Sequence, residues 1–258
     1  MKTSPSASVP TTEARIDVRG LRKSFGSRVV LEDVTFAVEP GTILGFLGAN
    51  GSGKTTALRC LLGLAEADSG EALVGGARYR DLPWPARTVG ALCENSGLQP
   101  RMSALQHLAV ELASNDFRGD VLTEVKRLLE LVDLTNALRV KVRAMSLGMR
   151  QRLGLALALA GEPRILVLDE PANGLDPEGI GWLRQFITHF ARRGGCVLIT
   201  SHQLAELERF ITHLAVLSGG RIVLSGAMSD LAVRGDLEQV YLSAIHSDTI
   251  PKEPHHAC

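Results

Sequence analysis

The sequence predicts an α/β fold: a mostly parallel β-sheet covered by helices, with a lobe made only of helices inserted near its middle. Three observations predict it. Short apolar runs alternate with amphipathic ones along most of the chain. A glycine-rich loop, GANGSGKTT, joins a buried apolar run to a helical pattern. From about residue 100 to 150 the strand signals stop and only helical periodicity remains.

The elements follow in order. Residues 16–25 and 34–38 cluster or alternate β-branched side chains and read as strands. Residues 42–47 (TILGFL) form a short apolar strand that ends at the glycine loop. In 54–64, Ala57, Leu58, Leu61 and Leu62 recur at helical spacing. Residues 68–76 read as a turn, a short strand and a second turn, and 88–93 as another strand. In the helical block, Ser103 and Gln106 match a capping box ahead of Leu105, Leu108 and Leu112. Val121, Leu122, Val125, Leu128, Leu129 and Val132 share one helical face. Alternation then resumes: a helix over 150–160, a strand over 165–168, a helix over 178–191, a strand over 197–200 and a helix over 203–210. A hairpin of 213–217 and 221–224 turns about Gly219 and Gly220.

Composition narrows the function. The 258 residues suffice for one good-sized core or a core with a smaller lobe. Lys plus Arg equal Asp plus Glu at 28 each, so net charge favours no nucleic-acid partner and none is expected. The four cysteines are scattered without a Cys-x-x-Cys pair, as in a protein with reduced thiols. No apolar run approaches the ~20 residues that span a bilayer. Residues 1–14 are expected to be a disordered tail and 235–258 a C-terminal tail whose end, 247–258, looks loose, with one folded domain over 15–234.

The glycine loop carries the chemistry. Residues 48–55 fit G-x-x-x-x-G-K-[ST] at every fixed position, between a strand and a helix. Gly48, Ala49, Asn50, Gly51, Ser52 and Gly53 let backbone N–H groups point at phosphate oxygens, and the helix that begins near Lys54 adds its positive end. Lys54 is placed to bridge β- and γ-phosphates, with Thr56 beside it, and the Thr55 hydroxyl to hold Mg²⁺. An exposed lysine in a plain glycine turn is the bland alternative. A second element, RILVLDE (164–170), ends an apolar strand in two carboxylates. Asp169 can hold Mg²⁺ directly or through water, and Glu170 can orient or deprotonate an attacking water. Alone, it could equally be a strand with an acidic end in solvent.

Between the two lies MSLGMRQRLGLALAL (145–159), and with it the chain resembles the ATP-binding subunit of an ABC transporter over about residues 15–230. The resemblance implies a P-loop NTPase core, an antiparallel β subdomain and a helical subdomain over about 100–150, with ATP and Mg²⁺ as ligands. MSLGM stands where the family has Leu-Ser-Gly-Gly-Gln: Ser146 and Gly148 are kept, and Leu147 and Met149 depart. Ser146 can cap the following helix and offer its hydroxyl to an anion; the resemblance makes that anion the γ-phosphate held by a second subunit. Residues 173–176 (NGLD), with Asp176, look like the D-loop that crosses the dimer interface. His202 looks like the switch histidine at the γ-phosphate, although a lone histidine is more often structural. Phe25 matches the aromatic that stacks on adenine, with a core role as the alternative. Glu94 stands where the family usually has Gln, and could approach Mg²⁺ and the γ-phosphate.

The segments around Glu94 and Ser146 resemble the branch that exports antibiotics and antimicrobial peptides, including lantibiotic self-immunity. The resemblance implies an ATPase acting as a head-to-tail homodimer or heterodimer. It also implies a separate transmembrane permease and a place on the cytoplasmic face of the membrane. Arg101, Met102 and Leu105 are candidates for the permease contact. A soluble ABC ATPase of translation or DNA repair is the alternative; one cassette and no heptad run speak against it. A GTPase or kinase would leave MSLGM and GLDP unexplained, and no Asn-Lys-x-Asp is present.

Overall fold

The computed structural model describes residues 14–93, 97–233 and 235–249. The strands are β1 (Ile16–Phe25), β2 (Arg28–Val38), β3 (Ile43–Leu47), β4 (Ser69–Val74), β5 (Val89–Leu92), β6 (Ile165–Leu168), β7 (Cys196–Ser201), β8 (His213–Ser218) and β9 (Arg221–Ala227). The helices are α1 (Lys54–Leu61), α2 (Pro85–Thr88), α3 (Ala104–Ser114), α4 (Val121–Leu131), α5 (Leu147–Leu159), α6 (Pro177–Arg192), α7 (Leu204–Leu207), α8 (Met228–Ala232) and α9 (Leu237–Thr249). The strands form one sheet in the order β4-β1-β2-β9-β8-β3-β7-β6-β5. β3, β7, β6 and β5 pair in parallel, and β3 pairs in parallel with β8. β4, β1 and β2 pair antiparallel, so the expected β subdomain is an extension of the same sheet.

The parallel strands read as continuous apolar runs because both faces are covered. Successive residues enter opposite cores. Ile43 and Leu47 of β3, Leu166 and Leu168 of β6, and Val197 and Ile199 of β7 pack with α3 to α6. Leu44 and Phe46, Ile165 and Val167, and Cys196 and Leu198 pack with α1, β1 and β2. α5 buries Leu153, Leu155, Ala156 and Leu159 and runs from the helical lobe into the first core.

The helical lobe forms as its caps predict. Ser103 Oγ accepts from Gln106 N–H (3.3 Å), while Gln106 Oε1 accepts from Ser103 N–H (2.9 Å). Asp120 caps α4 by accepting from Thr123 N–H at 3.0 Å. Val125, Leu128, Leu129 and Val132 are buried as expected, but Leu122 is exposed at the edge of the face.

Three expectations need correcting. The first strand pair is longer, because β2 begins at Arg28, directly after the turn at 26–27. The helix expected over 203–210 is regular only over Leu204–Leu207, since by Thr212 the chain is already bonded to β3, Thr212 N–H donating to Ile43 C=O at 2.9 Å. Most of the expected C-terminal tail is helix: α9 packs Leu237, Val240, Tyr241, Ala244 and Ile245 against the first core. The N-terminal tail call, except residue 14, lies outside the described residues. Among the described residues no helix is long and apolar enough to cross a membrane.

Candidate functional site

Parallel pairing sets the site. Leu47, at the end of β3, stands opposite Ser201, at the end of β7, and Leu168, at the end of β6, stands opposite Ile199. The loop after β3, the acidic pair after β6 and the histidine after β7 therefore meet at one edge of the sheet, where α/β proteins bind ligands.

The loop turns into α1 at Gly53, whose φ is 112°. A side chain there would stand 2.8 Å from Leu31 Cδ2 and 3.0 Å from Val30 C=O, so only glycine fits. α1 has no side-chain cap, which leaves its first N–H groups for an anion. Lys54 is buried, 6% exposed. Its ammonium donates to Gly48 C=O at 2.7 Å and to Ala49 C=O at 3.4 Å. A buried ammonium held by carbonyls alone is costly, and the anionic Glu170 Oε1 lies 3.6 Å away. Ser52 Oγ is buried without a hydrogen-bond partner.

Asp169 is 2% exposed and accepts two hydroxyl protons, from Thr55 (3.0 Å) and Thr200 (2.6 Å). Thr200 Oγ1 also accepts from Glu170 N–H at 2.9 Å. Glu170 has a φ of 50°, unusual for a side-chain-bearing residue. Its Oε2 lies 3.0 Å from His202 Nδ1, and Gln203 Nε2 lies 3.1 Å from His202 Nε2. Thr200 is not legible in the sequence as a site residue; its hydroxyl near the end of an apolar, fully buried strand is the available signal.

Lys54, Thr55, Glu170 and His202 line a cleft of about 520 Å³, a size typical of small-molecule sites. Phe25, Arg28 and Val30 of the first strand pair line it together with Asn50, Gly51, Gly53, Lys54, Thr55 and Thr56 of the loop and α1. Glu170, Asn173 and His202 complete its lining. Phe25 is 55% exposed, which removes the core role. Arg28 and Val30 were not singled out in the sequence.

Other candidates lie elsewhere. Gly48, Ala49 and Ser52 belong to the same loop but do not line the cleft. Ser146 is exposed, caps α5 by accepting from Met149 N–H at 3.2 Å, and with Gly148 stands outside the cleft. Asp176 caps α6, accepting from Gly179 N–H at 2.8 Å, and is also outside it. Glu94 lies outside the described residues. Among the described residues no group of three His, Cys, Asp or Glu side chains could hold a metal ion. Thr55 and Asp169 nevertheless present two adjacent hard oxygens, a donor set that fits Mg²⁺ when phosphate oxygens and water complete the shell.

Comparison with known proteins agrees with this arrangement. The family model described as ABC transporter matches residues 31–173, which hold the loop, the Ser146 segment and the acidic pair. The lantibiotic transport ATP-binding protein SrtF of Streptococcus pyogenes is 35% identical over 211 residues, covering 81% of this chain and 89% of that protein. The bacitracin transport ATP-binding protein BcrA of Bacillus licheniformis is 35% identical over 210 residues, covering 81% of this chain and 68% of that protein. A solved structure of an ATP-binding subunit of an ABC transporter superposes with a TM-score of 0.80 at 27% identity, covering 89% of this chain and 98% of that one. With its glycine loop, acidic pair and histidine gathered at one sheet edge, this chain belongs to the ABC transporter family, as an ATP-binding ATPase subunit.

Proposed function

We propose that this chain hydrolyses ATP as a head-to-tail pair and that the cycle drives export of a peptide antibiotic through a separate membrane subunit. The observation that supports it is that Lys54, Thr55, Glu170 and His202 line one cleft, with Asp169 bonded to Thr55 behind them, while Ser146 and Gly148 lie outside its lining.

Phe25 stacks on adenine, the N–H groups of the loop and of α1 receive the phosphates, and Lys54 turns from its carbonyls to the β- and γ-phosphates. Thr55 and Asp169 would hold Mg²⁺, which supplies charge neutralisation across those phosphates; Glu94 is a further candidate. Glu170 takes a proton from a water that attacks the γ-phosphorus, the bond to the bridging oxygen breaks, and ADP and phosphate leave. His202, hydrogen-bonded to Glu170, orients that carboxylate and faces the γ-phosphate.

The second cassette supplies Ser146, Gly148 and the N-terminus of α5 to the same γ-phosphate. A copy of this chain can provide it, because the chain carries both faces. ATP then holds the pair closed and hydrolysis releases it. A groove of about 230 Å³ beside the helical lobe, bordered by Tyr79, Ala86, Cys93, Glu111 and Leu157, is the seat proposed for a cytoplasmic helix of the permease. Arg101 is exposed and Met102 half-buried nearby in sequence, while Leu105 packs into the core, which weakens its candidacy. The chain would thus sit on the cytoplasmic face of the membrane. The peptide-antibiotic reading rests on the lantibiotic and bacitracin transport relatives.

Phosphate release from MgATP tests the reading. The purified chain is expected to turn over ATP, and Lys54→Ala or excess EDTA to stop it. Turnover unaffected by Lys54→Ala would contradict it.

A further inference from the structure

The strand that carries Phe25 is poorly fixed by its own sheet. β1 pairs with β4 only as far as Arg22 opposite Ser69. Beyond that, Lys23, Ser24 and Phe25 have only β2 as neighbour, and the register slips between Leu21 and Lys23 and again between Lys23 and Ser24. Slipped ladders twist and leave groups unpaired. Phe25 itself is mostly exposed, so no apolar packing sets its ring.

One residue compensates. Asp68, immediately before β4, donates its N–H to Arg22 C=O at 2.9 Å. Its Oδ2 accepts from Ser24 N–H at 2.6 Å and its Oδ1 from Lys23 Nζ at 3.0 Å. The Lys23 ammonium in turn stands 5.3 Å from the centroid of the Phe25 ring. All three residues before Phe25 are thereby tied to Asp68, and a cation covers one face of the ring, leaving the other for a base. The hydrogen bond from Lys23 is the main cause holding the Asp68 carboxyl below its ordinary range, so it is anionic at neutral pH.

We propose that Asp68 is a positioning residue for the nucleobase, presetting Phe25 by gripping Arg22, Lys23 and Ser24; this rests on the reading of Phe25 as the stacking aromatic. Preset geometry lowers the ordering cost of binding. Asp68, Lys23 and Ser24 do not line the cleft with Lys54 and Thr55, so the effect should be confined to ligands that carry a base.

Titration calorimetry with ATP and with inorganic tripolyphosphate tests it, on Asp68→Ala, Asp68→Asn, Phe25→Ala and the Phe25→Ala/Asp68→Ala double variant. Asp68→Ala is expected to weaken ATP roughly three- to tenfold, the loss of about one hydrogen bond's net worth, and to leave tripolyphosphate unchanged. Asp68→Asn, whose side-chain oxygen still accepts from Ser24, should recover part of the loss. In the Phe25→Ala background, Asp68→Ala should add nothing. The proposal is overturned if Asp68→Ala leaves ATP affinity intact, weakens tripolyphosphate equally, or adds its full effect to Phe25→Ala. If Phe25→Ala alone leaves ATP affinity unchanged, the stacking role of Phe25 falls first and this proposal with it.

Discussion

His202 Nδ1 lies 3.0 Å from Glu170 Oε2, while the other oxygen of the same carboxylate lies 3.6 Å from Lys54 Nζ. Three groups far apart in sequence thus meet around one carboxylate, because β3, β7 and β6 lie side by side in parallel and end together. The base proposed for hydrolysis is held by the histidine proposed to orient it and the lysine proposed to grip phosphate.

Glu170→Gln keeps the shape of the side chain and removes its basicity. Turnover should fall about 10²- to 10⁴-fold while ATP binding survives. His202→Ala should slow turnover less and add little in the Glu170→Gln background, since the two act as a unit. Phosphate release and titration calorimetry measure both; near-normal turnover in Glu170→Gln would remove Glu170 from its role.

Ser146→Arg places a bulky cation at the exposed start of α5, outside the chain's own cleft. ATP affinity of the isolated chain should stay unchanged and hydrolysis should be lost. A loss of ATP affinity in the single chain would show that Ser146 does not act across an interface.

Gly174 has a φ of 79°, and a methyl there would stand 2.2 Å from Leu147 Cδ2 and 2.4 Å from its Cγ. The departure at Leu147 therefore leans on the proposed D-loop of its own chain. Gly174→Ala should cost about 1–2 kcal/mol, combining left-handed strain with overpacking. Adding Leu147→Ala should return part of it by removing the clash alone. Urea denaturation of the single and double variants measures this.

The Cys196 thiol is fully buried and bonded weakly to Val38 C=O, and burial pushes its pKa up to about 12 from 9.0. A raised folded pKa means the folded state keeps a proton that the unfolded chain loses. Its contribution is complete below pH 9 and declines as pH rises from 9 towards 12, by at most about 1.4 kcal/mol per pH unit. The alkaline loss of stability should be shallower in Cys196→Ala than in the parent. At pH 8 Cys196 should resist thiol reagents until the chain unfolds, which peptide mapping after labelling would reveal.

What the sequence disclosed followed how local its signals were. The loop at 48–55 and the acidic pair at 169–170 are contiguous, and their surrounding apolar runs fixed the strand ends that bring them together. Arg28 and Val30 carry no pattern of their own, and Thr200 only its hydroxyl in an apolar strand; all three join the site through strand pairing. The first half of β2 was hidden because RVVLED mixes charges into a strand whose alternate side chains face solvent. α9 was legible in principle: Leu237, Val240, Tyr241, Ala244 and Ile245 recur at three- and four-residue spacing, but the polar, proline-bearing segment after them weighed more.

The central claim is that ATP is clamped between the loop of one cassette and the Ser146 face of another. Light scattering on the Glu170→Gln chain with MgATP tests it most directly. The account predicts that the mass rises from the 27.7 kDa of one chain to about twice that, and that adding Ser146→Arg keeps it single. A chain saturated with ATP that stays at the single-chain mass would contradict it.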